Sequence, residues 1–343
     1  MKEQPPFDRW LTPVYGRVAF PLLRRLQPVN PLGVYYHIVS DARVPHVDRL
    51  YRFRNVARFS RDLDVLAQIY RPISLHDFLA SLNTGIALPK NSLLLTFDDG
   101  LRECHEIIAP ILKRKGIPAT FFLCSAFVDN RAWAFDLKKS VLADALSGTV
   151  LQPRQKCALR RILDGAGLRS SDLTEAVLGV DYSRRLILEP IAALLDYDLD
   201  AYLKKARPYL TSDQVRELLK EGHAIGAHSI DHPRYGNLPL REQLRQTRES
   251  VRFIKGRFSL DYGAVAFPSS DANISRCFFE EIMADVDVCF GNQGLLEDAA
   301  PRCVQRMTME KTDRPAEAIL GESYTRRLVK RAAGKGVVPR PVV

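Results

Sequence analysis

The chain has 343 residues, 46% of them hydrophobic and 26% charged, with a formal net charge of +10. That is the composition of an ordinary globular protein, long enough for one large domain or two modest ones. No run approaches the roughly 20 apolar residues that a membrane span needs, and the positive charge favours an anionic partner: a phosphate-bearing sugar, an anionic lipid surface or a nucleic acid.

The first residues, MKEQPPFDRW, show no apolar stretch followed by a small-residue cleavage site, so the cytoplasm is the expected location. WLTPVYGRVAFPLLRRL (10–26) mixes aromatics, aliphatics and arginines. It reads either as a segment lying in a membrane interface or, because of Pro13 and Pro21, as a helix packed on the domain. Residues 1–31 are set apart as an N-terminal segment. LGVYYHIVS (32–40) reads as a strand, and 58–70 and 73–85 as helices, the second stopped by Gly85. NSLLLTFDDG (91–100) is a strand too continuously apolar to have a wet face, which predicts a parallel sheet covered on both sides. A helix over 103–116 with basic residues in its last turn and a strand over 117–124 follow. Alternating strands and helices at this spacing predict an α/β fold.

Between about 130 and 207 the strands vanish and only helical patterns remain, which predicts a helical insertion, either a lid or partner surface or a packed decoration. The α/β pattern resumes with a helix over 210–222, capped by Thr211 or Ser212 with Gln214 at the capping-box distance. HAIGAHSIDHP (223–233) is a short strand breaking into a loop, 240–256 a long helix, and 263–270, 285–291 and 303–309 three further strands. The α/β unit thus spans 32–310, and 311–343 forms a C-terminal helix and basic tail. TRRLVKRAAGKGVVPRPVV (325–343) reads either as a solvated tail or as a contact to an anionic membrane at the inner face. No zinc-finger, RNP or helix-turn-helix signature accompanies the charge, so no nucleic-acid partner is expected. The six cysteines are scattered with no C-x-x-C pair and are expected to be reduced.

In a parallel α/β fold the loops leaving the carboxyl ends of the strands converge on one face, and sites form there. Asp98 and Asp99 stand at such an end, and so do His228 and His232. A lone Asp after a strand is most often a turn or cap residue. Two adjacent carboxylates after an apolar strand are costly to bury unless a metal or a base role compensates. Histidines four apart, in HSIDHP, can meet one ion, and with one of the carboxylates they make the three-ligand open site of a catalytic divalent ion.

TFDDG and HSIDHP, with KRKGIPATFFL after the first and LTSDQVRELLKEGHAIGA before the second, resemble the polysaccharide deacetylase family, also called the NodB-homology or carbohydrate esterase 4 family. The resemblance covers roughly 32–130 and 208–310. It implies a distorted (β/α)7 barrel, Asp98 as general base, and Asp99 as ligand with His228 and His232 to one divalent ion. Zinc is the first expectation, although the same donors accept iron, cobalt or nickel. It also implies hydrolysis of the N-acetyl or another short N-acyl amide of an amino sugar.

Two departures from the family pattern stand out. The histidine of a late L-x-H motif is missing, since no histidine follows His232; His37 in VYYHIV resembles the early Y-H histidine of poly-N-acetylglucosamine deacetylases, which implies His37 as general acid. The motif arginine that restrains the base is also missing. AFPSSDAN (266–273) resembles the F-x-Y-P-x-G variant of that motif at Phe267 and Pro268, its glycine replaced, and Arg306 or Arg302 is the candidate substitute. His46, His76, His105 and His223 are expected to be structural. The expected substrate is a cytoplasmic surface-glycan precursor joined to phosphate; the competing reading, from another class, is a catalytically weak or inactive carbohydrate-binding or scaffolding protein on a deacetylase fold.

Overall fold

The computed structural model describes residues 15–310 and 312–342, so the start of the 10–26 segment lies outside the described residues. In chain order the helix α1 (Tyr15–Leu26) leads to strand β1 (Leu32–Tyr36), then α2 (Val56–Ile69), β2 (Arg71–Pro72), α3 (Leu75–Thr84), β3 (Ser92–Phe97), α4 (Ala109–Lys115) and β4 (Thr120–Leu123). Five helices follow without a strand: α5 (Phe135–Gly148), α6 (Pro153–Gly165), α7 (Leu173–Leu178), α8 (Leu188–Leu194) and α9 (Leu199–Ala206). The alternation returns with α10 (Ser212–Lys220), β5 (Ala224–Ala227), α11 (Leu240–Phe258), β6 (Ala264–Ala266), α12 (Arg276–Ile282), β7 (Val288–Gly291), β8 (Glu297–Asp298), β9 (Cys303–Thr308), α13 (Ala316–Ala332) and β10 (Val337–Val338).

Parallel pairing runs β1-β9-β7-β6-β5-β4-β3, and β3 returns to β1 over Leu32↔Leu93 to Tyr36↔Phe97. The result is a closed seven-stranded (β/α) barrel, with β2 added to the start of β3. Every residue of β1, β3, β4, β5, β6 and β7 is buried, as strands covered on both faces require. Alternation sends Leu32, Val34 and Tyr36 out toward Phe59, Leu63 and Leu66 of α2, while Leu94, Phe122, Ala264 and Phe290 fill the barrel interior. Helix ends follow local chemistry: Thr211 and Gln214 form a reciprocal capping box, and Gly85 and Gly116 end their helices in the left-handed region.

The insertion packs on the carboxyl end of the barrel rather than standing off it. Its core of Leu137, Leu142, Leu159, Val177, Leu188 and Ile191 is continuous with Ile38, Leu101, Cys124 and Phe127 from the barrel loops. Its two ends are tied together, since Asn130 Nδ2 donates to the Tyr209 carbonyl and the Tyr209 N–H donates to Asn130 Oδ1, each at 2.9 Å.

The C-terminal stretch is folded, which corrects the solvated-tail reading. Helix α13 packs on α1, where Phe20 meets Tyr324 edge-on at 5.6 Å, and β10 pairs with β8. Arg340 lies buried between Asp271 (2.6 Å) and Asp298 (2.5 Å). A guanidinium facing two carboxylates is anchored, not solvated. All six cysteines are free thiols, and no helix among the described residues is long and apolar enough to cross a membrane.

Candidate active site

The sequence-selected residues meet at the carboxyl ends of β1, β3, β5 and β9. Strand alternation points Thr96 and Asp98 of the third strand into the barrel, where Arg306 from β9 receives them. Its Nη1 lies 2.7 Å from Asp98 Oδ1 and 2.8 Å from Thr96 Oγ1, and its Nη2 lies 2.9 Å from Asp98 Oδ2. Burial raises the Asp98 carboxyl, and the Arg306 guanidinium together with the imidazoles of His228 and His37 outweighs it, holding the group below the ordinary carboxylate range. Arg306 crosses the strand between, because β1 offers Gly33 at that register: a Cβ there would come within 2.9 Å of Arg306 Cγ. Arg302 sits at the opposite end of β9 and donates to Asn83.

Asp99 comes next in the chain, and alternation alone would turn it out of the barrel. Its φ of +72° swings it back over the site; Asp is among the few side chains that tolerate this region. Gly100 continues the turn at φ +69°, and a Cβ there would lie 2.7 Å from Leu123 Cδ2.

Asp99 Oδ1 stands 3.5 Å from His228 Nε2 and 3.2 Å from His232 Nε2. His228 prolongs the inward face of β5, and its Nδ1 donates to the Ala266 carbonyl at 2.9 Å, leaving the Nε2 lone pair toward Asp99. His232 arrives through a tight loop, with φ +71° at Ser229 and +64° at His232, closed by the His232 N–H on Ser229 Oγ at 3.0 Å.

These residues fit a divalent cation. The three donor atoms lie within 4.8 Å of one another, and Asp99 Oδ1 is buried without a hydrogen-bond partner. Burial lowers the His232 imidazolium, and the carboxylates of Asp99 and Asp136 together outweigh it, raising His232 to about 10, so a bound ion has to displace that proton. A second acidic cluster, Asp271, Asp298 and Cys303, is filled by the Arg340 guanidinium.

Opposite Asp98, His37 follows β1. Its Nδ1 pairs with Glu310 Oε1, and its backbone N–H donates to Glu310 Oε2 at 3.0 Å. Burial disfavours the imidazolium, but Glu310, joined by Asp99 and Asp98, outweighs burial and lifts His37 to about 9. The Tyr51 ring packs 4.9 Å from the His37 ring, and its hydroxyl lies 3.5 Å from Asp99 Oδ2. A cavity of about 260 Å³ opens over His37, Tyr51, Asp99 and His232, closed by Phe127, Leu137, Lys139 and Tyr209. The insertion therefore walls the site.

Sequence reasoning missed Glu310, Tyr51 and Asp136. Glu310 had one signal, a carboxylate just past a predicted strand, like Asp98; Tyr51 and Asp136 lie in a loop and an insertion where periodicity says nothing about the barrel. The four other histidines lie elsewhere: His46 meets Tyr202, His76 Tyr262, His105 Glu217 and His223 Phe121.

A (β/α)7 barrel with a carboxylate and two imidazoles gathered at its carboxyl face defines the class. The chain belongs to the polysaccharide deacetylase family, whose sequence profile matches residues 85–277. That span holds Asp98, Asp99, His228 and His232; His37, Arg306 and Glu310 fall outside it. The fold is similar to that of the Streptococcus pyogenes deacetylase PplD, solved with acetate, at 16% identity and a TM-score of 0.55 over 87% of this chain and 99% of that one. It is also similar to IcaB from Ammonifex degensii (16%, TM-score 0.53, 86% and 98%) and to a de-N-acetylase from Aggregatibacter actinomycetemcomitans (15%, TM-score 0.52, 83% and 97%). No curated protein matches the chain.

Proposed function

We propose that this chain is a metal-dependent hydrolase that removes an N-acetyl or other short N-acyl group from an amino sugar, with a phosphate-linked surface-glycan precursor in the cytoplasm as its substrate class. The observation that carries the reading is Asp98, ionised and clamped by Arg306, beside the donor set of Asp99, His228 and His232. Those three residues would hold one divalent ion, zinc being the first expectation. When bound, such an ion lowers the pKa of water and stabilises the oxyanion that develops on the amide carbonyl.

Asp98 takes the proton of the attacking water while the water oxygen bonds to the amide carbon. Arg306 keeps that carboxylate oriented and charged. His37, held as an imidazolium by Glu310, gives its proton to the amide nitrogen as the C–N bond breaks. The products are a short carboxylic acid and a free amino sugar. Tyr51, Phe127 and Tyr209 limit water around the reacting bond.

The net charge of +10 supports a phosphate on the substrate. Exposed Leu22 and Leu26 beside Arg25 support peripheral contact with an anionic membrane. A silent binder drew its support from the missing motif arginine and late histidine; Arg306 on Asp98 and His37 on Glu310 count against it. The test is release of acetate or formate from a panel of N-acylated amino sugars by the zinc-loaded protein. Release by the wild type, absent in Asp98→Asn that still binds zinc, is expected. Stoichiometric zinc with no release across the panel would reject the reading.

A further inference from the structure

An imidazole that offers Nε2 to a cation must carry its proton on Nδ1, and that proton needs an acceptor to fix the ring. His228 has one in the Ala266 carbonyl. His232 Nδ1 is buried with no hydrogen-bond partner, yet Asp136 Oδ2 stands 3.6 Å from it. Asp136 belongs to the first turn of α5, the helix with which the insertion enters the site. Its other oxygen, Oδ1, is held at 2.6 Å by Lys139 Nζ, which also donates to the Val180 carbonyl at 3.3 Å after α7. Lys139 thus occupies Oδ1 and leaves Oδ2 facing the imidazole. Closing that gap to a hydrogen bond of about 2.9 Å needs only a small rotation of the carboxylate.

We propose that Asp136 is a positioning residue for His232, accepting its Nδ1 proton, aiming Nε2 at the cation and making cation affinity depend on the seating of the helical insertion on the barrel. This rests on the metal-dependent reading above. It assigns the insertion a role at the ion that barrel residues fill elsewhere in the site. The alternative is that Asp136 and Lys139 form an ordinary pair three residues apart at a helix start.

The experiment is zinc titration of the metal-stripped full-length protein against a chromophoric chelator. Asp136→Asn keeps the shape and removes the charge, and should weaken zinc about tenfold; Asp136→Ala should weaken it toward 100-fold. Lys139→Met, which frees Asp136 Oδ1, should move affinity less. The visible absorption of the cobalt-loaded protein should shift in Asp136→Asn and stay at the wild-type form in Lys139→Met, a pattern that loss of the Asp136–Lys139 pair alone does not give. Wild-type zinc affinity and an unchanged cobalt spectrum in Asp136→Asn would overturn the inference, provided His228→Ala loses the ion. If the wild type itself binds no zinc, the metal-dependent reading falls, and this inference with it.

Discussion

Arg306 of β9 reaches past β1 and closes on Asp98, the residue after β3, with both terminal guanidinium nitrogens, at 2.7 and 2.9 Å, with neither side chain open to solvent. A buried pair of this kind adds little net stability over an apolar replacement, but losing one partner strands the other charge. Arg306→Met is therefore expected to lower unfolding free energy by about 3–5 kcal/mol. Asp98→Asn is expected to cut turnover by about 10²–10⁴. The double variant should lose less stability than the sum of the singles, because the residues touch. Urea denaturation of the four proteins measures this; strict additivity would show that the contact carries no coupling.

Gly33 is predicted to be as sensitive as the arginine that passes over it. A methyl group there meets Arg306 Cγ at 2.9 Å and the Gln305 carbonyl at 3.0 Å, so Gly33→Ala should overpack the barrel by about 1–3 kcal/mol and push the guanidinium off Asp98. A fall in both melting temperature and turnover is the expected outcome. An alanine variant with wild-type values would mean that Arg306 has room to move.

The His37–Glu310 pair predicts an alkaline limit to activity. His37 must be protonated to act as acid, so kcat/KM should fall as pH rises through about 9. Glu310→Gln removes the charge that raises His37, so the limb should move down toward or below the ordinary value near 6.5. The same sign governs stability. The folded pKa exceeds the unfolded one, so the pair's contribution is fully present below about 6.5 and is lost as pH rises through about 9. A pH–rate profile of Glu310→Gln that overlays the wild type would remove Glu310 from this role.

Metal binding is predicted to release a proton. His232 is raised to about 10 by Asp99 and Asp136, so below that pH each ion displaces one proton and zinc affinity should rise about tenfold per pH unit. Chelator competition at pH 7 and pH 8 measures the slope. Zinc at 100 times its Kd should add about 2.7 kcal/mol of stability, and Asp99→Ala should lose both the binding and the stabilisation. A slope of zero would mean that His232 is already neutral.

At the other end of the chain, Arg340 holds Asp271 and Asp298 with a buried guanidinium. Arg340→Met strands both carboxylates and should cost about 3–5 kcal/mol, with turnover per folded molecule unchanged. For the same reason, removal of 326–343 would be a test of folding before it was a test of membrane contact. Thermal melts with active-site titration check both halves of the prediction.

Much of this architecture was legible locally. Continuous apolar runs ending in turn residues mark the strands, helical spacing marks the covering helices, and the Asp98–Asp99 and His228–His232 motifs each sit within a few residues of a strand end, so their place at one face could be read from neighbours in the chain. The absence of strands between 130 and 207 likewise marked the insertion. Tertiary structure decided what local spacing cannot carry. Arg306 and Asp98 are 208 residues apart, and Glu310 and His37 are 273 apart. Periodicity tells which wall of a strand a side chain lines, but not which distant strand closes beside it; that depends on β3 returning to β1 and β9 pairing on the other side. The φ of +72° that turns Asp99 inward belongs to a turn that continues at Gly100 with φ +69°, where a Cβ would meet Leu123, and the residue type alone does not fix it. A buried charge announces its partner only when the ring has closed, because burial makes the pairing obligatory, and burial belongs to the folded barrel rather than to the linear chain.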